Sequence, residues 1–210
     1  MVEKGKILLT GFEPFGGSDV NPSIMACRRL EGETFNGHEV VVEEIPLIFH
    51  GIRGIIEGYI EKHKPAAVVC SGQGGGPAIS IERVAINVGS ARDPYNCGYQ
   101  PVDEPLNEEG PAAYFTKLPF RDLLAALKEA KIPAALSNSA GTYGCNQVFY
   151  HLMDYLARED IDILAGFIHV PRLPEQVLEQ RTPSMTIELI TKALEVVVDV
   201  ISKELDLKNM

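Results

Sequence analysis

The chain has 210 residues, 45% of them hydrophobic, with a formal net charge of -10 and a pI near 5.0. That length buries one sizeable core and falls short of making two domains the default, so one domain spanning residues 1–210 is expected. The negative charge argues against a nucleic-acid backbone or an anionic membrane surface as partner, because both require clustered Lys and Arg.

The charged start is followed by an apolar run that Gly11, Pro14 and Gly16 interrupt before it reaches signal-peptide or membrane-span length, so a cytoplasmic location is expected. Residues 6–10 read as a first strand and residues 11–20 as a loop. Asn21-Pro22-Ser23 then starts a helix, with Asn as cap and Pro at the first position; Gly32 is expected to end it. Residues 39–45 read as a strand, 51–62 as a helix, and 66–71 as a buried strand running into the glycine-rich stretch 72–76. Residues 79–88 alternate enough to form one further strand of a mixed sheet. Residues 90–119, rich in Pro, Gly, Asn and Asp, read as a long surface excursion with short local structure, a kind of loop that often carries function.

A helix over 121–131 precedes a strand over 134–137. The helix after Cys145 has an apolar stripe of Val148, Leu152, Tyr155 and Leu156, and the last helix has Ile187, Ile190, Leu194, Val197 and Ile201. Between them a strand over 163–168 ends at His169. Strands alternating with helices are the signature of a mostly parallel sheet covered by helices on both faces. The stripes read as core, not as a cofactor site.

Four cysteines, at 27, 70, 97 and 145, are expected to be reduced thiols. Neither a CxxC pair nor an HExxH helix occurs and the five histidines are dispersed, so no metal is assigned. Cys27 and Cys70 read as small buried hydrophobes, and Cys97 has no neighbour in sequence to activate it. Cys145 differs because it falls in the first turn of its helix, where unpaired backbone N–H groups and the dipole favour a negative sulfur. Bringing an ordinary thiol from about 8.5 to about 6 takes about 3.4 kcal/mol, whereas a helix terminus supplies at most about 2. A nearby imidazolium is therefore needed, and His169, at the carboxyl end of a strand, is the candidate.

Glu82, on an otherwise apolar strand, is costly unless paired. Arg83 or Arg92 is one possible partner; the other is His169, which a carboxylate would hold in the correct tautomer as the third member of a triad. The glycine-rich stretch lacks a dinucleotide fingerprint, since the third glycine position holds Pro77, and no Walker lysine follows. It reads as a close-approach loop that lets backbone amides and Gln73 face a small ligand. Phe12 and Phe15 are either hydrophobic plugs or an aromatic clamp for a flat, uncharged ring.

Several segments together resemble the pyroglutamyl peptidase I (pyrrolidone carboxyl peptidase) family of cysteine peptidases. They are Thr10-Gly11-Phe12-Glu13-Pro14-Phe15-Gly16-Gly17 with Asn21-Pro22-Ser23, Ile81-Glu82-Arg83-Val84-Ala85-Ile86-Asn87, Gly98-Tyr99-Gln100-Pro101-Val102-Asp103, Ser139-Ala140-Gly141-Thr142-Tyr143-Gly144-Cys145-Asn146, residues 166–171, and Thr182-Pro183-Ser184-Met185. The likeness runs in order over nearly the whole chain. It implies a single-domain, three-layer α/β/α sandwich with a mostly parallel, mixed and twisted sheet. It also implies a Glu-Cys-His triad on Glu82, Cys145 and His169, removing an N-terminal pyroglutamyl residue from peptides through a thioacyl-enzyme without cofactor. The same transfer has Phe12 and Phe15 sandwich the lactam ring, Asn21 and Gln73 bind its polar edge, and Arg92 lie near the oxyanion. A homo-oligomer, tetramer or dimer, is implied as well.

Two positions depart from the family pattern. Gly144 stands where Leu or Val is usual, so a wider pocket floor is expected, and with it a second reading in which the thiol acts on another small cyclic or acyl amide. Residues 91–96, Ala-Arg-Asp-Pro-Tyr-Asn, replace the usual Ala-Arg-Ile-Pro-Asp-Asn on the loop that carries Arg92. From a different class, a catalytically silent binding module for capped peptides would use the aromatic pocket alone.

Overall fold

The computed structural model describes residues 4–208. Strand β1 (Ile7–Phe12) is buried at every position, which places it in the interior of a sheet. Helix α1 (Pro22–Arg28) follows, capped by Asn21 with Pro at its first position as the sequence predicts. It stops short of Gly32, which instead takes φ 77° in the turn leading to a two-residue strand, β2 (Thr34–Phe35). β3 (His38–Ile45), α2 (Ile52–His63) and β4 (Ala67–Gln73) come next.

Residues 79–88 are two strands, not one. β5 (Ile79–Glu82) stays in the main sheet, whereas β6 (Val84–Ile86) leaves it to pair antiparallel with β7 (Ala113–Phe115), inside the excursion. Arg83 is the hinge: its N–H donates to Ser137 O at 2.9 Å on one side, and its carbonyl accepts from Thr116 N at 3.0 Å on the other. The chain continues through α3 (Phe120–Glu129), β8 (Ala134–Ser137), α4 (Gly144–Arg158), β9 (Leu164–Val170) and α5 (Ile187–Lys208). β9 runs two residues further than expected, so His169 lies within the strand and not past its end.

The seven-stranded sheet has the order β2-β3-β1-β4-β9-β5-β8. It is parallel from β3 through β9, but β2 runs against β3, and β5 runs against β9 while remaining parallel to β8. α1, α3 and α5 pack together, as do α2 and α4. Alternation along β1 divides the core accordingly. Ile7 and Leu9 join Val69, Leu194 and Val197 in one apolar cluster, and Leu8 and Phe12 join Val68, Phe149 and Phe167 in the other. The result is the expected α/β/α sandwich with a mostly parallel, mixed sheet.

Candidate active site

Cys145 is the second residue of α4. The helix starts from Tyr143 in extended conformation with no side-chain cap, so no side chain occupies the first-turn amides. Two sets of bonds fix this start. Thr142 Oγ1 donates to Ser90 O at 2.7 Å, and Ser90 N donates to Thr142 O at 2.8 Å. The buried amide of Asn146 accepts from Ile86 N at 2.9 Å and donates to Ile86 O and Val88 O at 2.9 and 3.0 Å. Asn146 thus clamps the helix start to β6. The sequence shows only an Asn directly after the cysteine; its complete burial is visible in the structure alone.

The sulfur lies over the backbone of β4. A Cβ added to Gly72 would stand 2.7 Å from Cys145 Sγ, so only glycine fits there. Gly72 is the register partner of His169 on β9. Glycine on one strand therefore admits the thiol next to the imidazole on the other. His169 Nδ1 in turn donates to Glu82 Oε1 at 2.8 Å. Glu82 is 1% exposed, and its Oε2 is buried without a hydrogen-bond partner among the described residues. Of the alternative partners for Glu82, Arg83 turns away to Asn138 Oδ1 at 2.9 Å and lies over the Phe120 ring.

Burial of the imidazole works against its charge, yet the Cys145 sulfur and the Glu82 carboxylate outweigh that effect and raise His169 to about 10. The other cysteines behave differently. Burial pushes the Cys27 and Cys70 thiols up to about 12. Cys97, which has no activating neighbour in sequence, is exposed and held below the usual thiol value by the backbone amides of Phe49 and Tyr99.

The remaining predicted residues are distributed as follows. Phe12 is 2% exposed, its ring 6.5 Å from that of Phe167, and it packs against the Gly72 backbone under the thiol. Phe15 and Gln73 line an open cleft of about 820 Å³, together with Tyr143 and Arg172. Gln73 Oε1 accepts from Gln176 Nε2 at 2.9 Å. Asn21 is buried and engaged: its Oδ1 accepts from Ser23 N and Oγ at 3.1 and 2.8 Å, and its Nδ2 donates to Glu13 O at 3.0 Å. It shapes the loop that follows Phe12 and carries Phe15 instead of presenting a free amide to the cleft. Arg92 is exposed on its loop, where its carbonyl accepts from Gln100 Nε2 at 2.8 Å.

Glu13, not singled out by its sequence, ties the loop down from the other side. Its Oε1 accepts from Leu47 N and from Asn96 Nδ2, both at 2.8 Å. Among the described residues no group of three or more His, Cys, Asp or Glu side chains is placed to hold a metal ion.

A cysteine at an uncapped helix start, beside a strand histidine held by a buried carboxylate, is the arrangement of a thiol hydrolase. A family profile described as pyroglutamyl peptidase matches residues 5–204. The chain belongs to the pyroglutamyl peptidase family. It is 47% identical over 192 residues to the pyrrolidone-carboxylate peptidase of Bacillus licheniformis, covering 91% of this chain and 89% of that one. Identity to the corresponding protein of Thermococcus onnurineus is 48%, covering 92% and 96%. The crystal structure of pyroglutamyl peptidase I from Bacillus amyloliquefaciens superposes with a TM-score of 0.92 at 44% identity, covering 95% and 98%. A mutant pyrrolidone carboxyl peptidase from Pyrococcus furiosus gives 0.92 at 38%, covering 95% and 99%.

Within this pyroglutamyl peptidase fold the glycine at 144 does not widen the floor. A Cβ there would lie 2.5 Å from Leu47 Cδ1 and 3.5 Å from Phe12 Cε1, so Leu47 fills the space a larger residue would take. The expectation of a roomier pocket floor falls with that packing.

Proposed function

We propose that the chain is a cysteine peptidase that hydrolyses the N-terminal pyroglutamyl residue from peptides, using Glu82, Cys145 and His169 as its triad and a thioacyl-enzyme as intermediate. The observation that carries this reading is the convergence at His169. Its Nδ1 is bound by Glu82 at 2.8 Å, and the strand residue beside it, Gly72, is the one over which the Cys145 sulfur packs.

Because Glu82 holds Nδ1–H, the imidazole presents Nε2 for proton exchange with the thiol. Cys145 Sγ attacks the carbonyl carbon joining the lactam to the next residue, and the oxyanion is met by N–H groups of the first turn of α4. The intermediate collapses with cleavage of the C–N bond as the imidazolium gives its proton to the leaving amine. Water, losing a proton to the same imidazole, then attacks the thioester. The C–S bond breaks and free pyroglutamate departs.

A lactam has no ammonium group to anchor, so recognition falls to aromatic faces and neutral hydrogen bonds. Phe15 supplies a face on the cleft and Gln73 a polar edge, with Phe12 buried beneath the thiol, Asn21 holding the loop that carries Phe15, and Arg92 on the neighbouring loop. No cofactor enters this scheme. The wider reading is of one domain over residues 1–210, a cytoplasmic homo-oligomer. Among the described residues no helix is long and apolar enough to cross a membrane.

The test is hydrolysis of a fluorogenic pyroglutamyl amide by the wild type, with and without iodoacetamide, and by Cys145→Ser. Turnover that iodoacetamide and the substitution each remove supports the assignment; near-normal turnover by Cys145→Ser overturns it. Static light scattering reads the subunit count.

A further inference from the structure

The cleft of about 820 Å³ far exceeds the volume of a five-membered lactam; Phe15 and Gln73 line it but Cys145 and His169 do not, so it extends away from the thiol. Arg172, three residues after His169, forms part of its wall. The backbone at Arg172 is pinned: it bridges to Ser184, and its carbonyl accepts from Met185 N at 2.9 Å. Its side chain contrasts with that order. Nε is buried and has no hydrogen-bond partner among the described residues. With Nε buried, the terminal nitrogens are the part of the guanidinium that a ligand in the cleft reaches, and no hydrogen bond or ion pair among the described residues engages them.

The rim identifies the acceptor. Asp19, Asp93 and Glu175 are exposed and share the cleft with Arg172, so its wall carries three carboxylates and one guanidinium. An incoming carboxylate is repelled by that balance and a neutral carbonyl is not, while a cationic side chain is attracted. Resting on the peptidase reading above, we infer that this cleft holds the leaving portion of the substrate. Arg172 donates to the main-chain carbonyl of the residue after pyroglutamate, and the rim selects a cationic residue there over an acidic one.

The experiment compares kcat/KM for pyroglutamyl-alanine amide with that for a pyroglutamyl arylamide, which lacks the carbonyl in question, in the wild type, Arg172→Met and Arg172→Lys. Because the ratio is taken within one preparation, loss of folded enzyme cancels. Arg172→Met is expected to lower the peptide-to-arylamide ratio about tenfold, mainly through KM, with Arg172→Lys in between. An unchanged ratio overturns the role of Arg172. In the wild type, pyroglutamyl-lysine amide should be cleaved better than pyroglutamyl-glutamate amide, and Asp93→Asn with Glu175→Gln should narrow the gap. Equal rates on the two amides overturn the selectivity. A wild type that cleaves none of these substrates fails the peptidase reading itself, a result distinct from either.

Discussion

The imidazole of His169 is bonded not by Ser80, the residue opposite it in the β5–β9 ladder, but by Glu82, two positions further along. Because β5 runs antiparallel to β9, Ser80 and Glu82 share a face with His169 and Phe167, and a long side chain spans the diagonal. Glu82→Gln keeps the shape and removes the charge. It is expected to lower kcat about ten-thousandfold, as loss of the orienting carboxylate does in well-characterised triads, while the melting temperature shows that the fold survives. Retention of more than a tenth of wild-type kcat would show that the carboxylate is not needed.

The elevated His169 value sets the alkaline behaviour. Its imidazolium is favoured in the native state, with a folded value of about 10 against an ordinary 6.5. The associated stability is therefore fully present below about pH 6.5 and is lost as pH rises through about 10. The alkaline limb of kcat/KM should fall in the same region. In Cys145→Ala the sulfur's charge is gone, and NMR titration should find the His169 ring titrating well below its wild-type value. An unshifted ring would separate the thiol from the histidine.

Leu47 forms a packed pair with Gly144, the residue next to Cys145 in sequence. Gly144→Val drives a side chain into Leu47 Cδ1, at 2.5 Å from the would-be Cβ, and overpacking of this kind costs about 1–3 kcal/mol. Adding Leu47→Ala should recover part of the stability and activity that the single change removes. Chemical denaturation of the two single mutants and the double mutant measures the coupling; simple additivity would contradict the contact.

Asn21 caps α1 and also holds the carbonyl of Glu13. Asn21→Ala should cost about 1 kcal/mol from the cap, read as a lower melting temperature. KM should rise as well, because the loop that follows Phe12 and carries Phe15 loses its anchor. A normal KM in a destabilised variant would confine Asn21 to the helix.

His151 is 5% exposed, its Nδ1 lacks a partner among the described residues, and burial followed by the charge of Arg53 lowers it to about 4. The unfolded chain binds a proton here below about pH 6.5 and the native state does not until about pH 4, so stability falls across that window. The loss is on the order of 3 kcal/mol. His151→Leu should flatten the pH dependence of the denaturation midpoint between pH 6.5 and 4; an unchanged slope would assign the acid sensitivity elsewhere.

Local patterns carried much of this structure. The Asn-Pro-Ser helix start, the strand Ala134–Ser137 and the placement of Cys145 at the head of α4 each follow from a cap, a run or a turn that a few neighbouring residues define. What depended on distant partners was not legible. Residues 79–88 alternate throughout, and nothing local marks Arg83 as the point where the chain changes sheets, because the cause is its bonding to Ser137 and Thr116. β7 escaped notice for the same reason, its partner β6 lying far back along the chain. Leu47 filling the space at Gly144 is a tertiary contact that spacing alone does not encode.

Sheet order has a consequence for how the chemistry is born. β4 and β5 are joined by only the short stretch 74–78, yet β9 lies between them. The segment bearing His169 must therefore wedge into a gap between two arms made long before it, a contact of high sequence separation. Until that wedge seats, Cys145 and Glu82 both lack His169 as a neighbour. On the proposed triad, a half-assembled chain carries an unactivated thiol, and hydrolytic competence waits on the seating of β9 between β4 and β5.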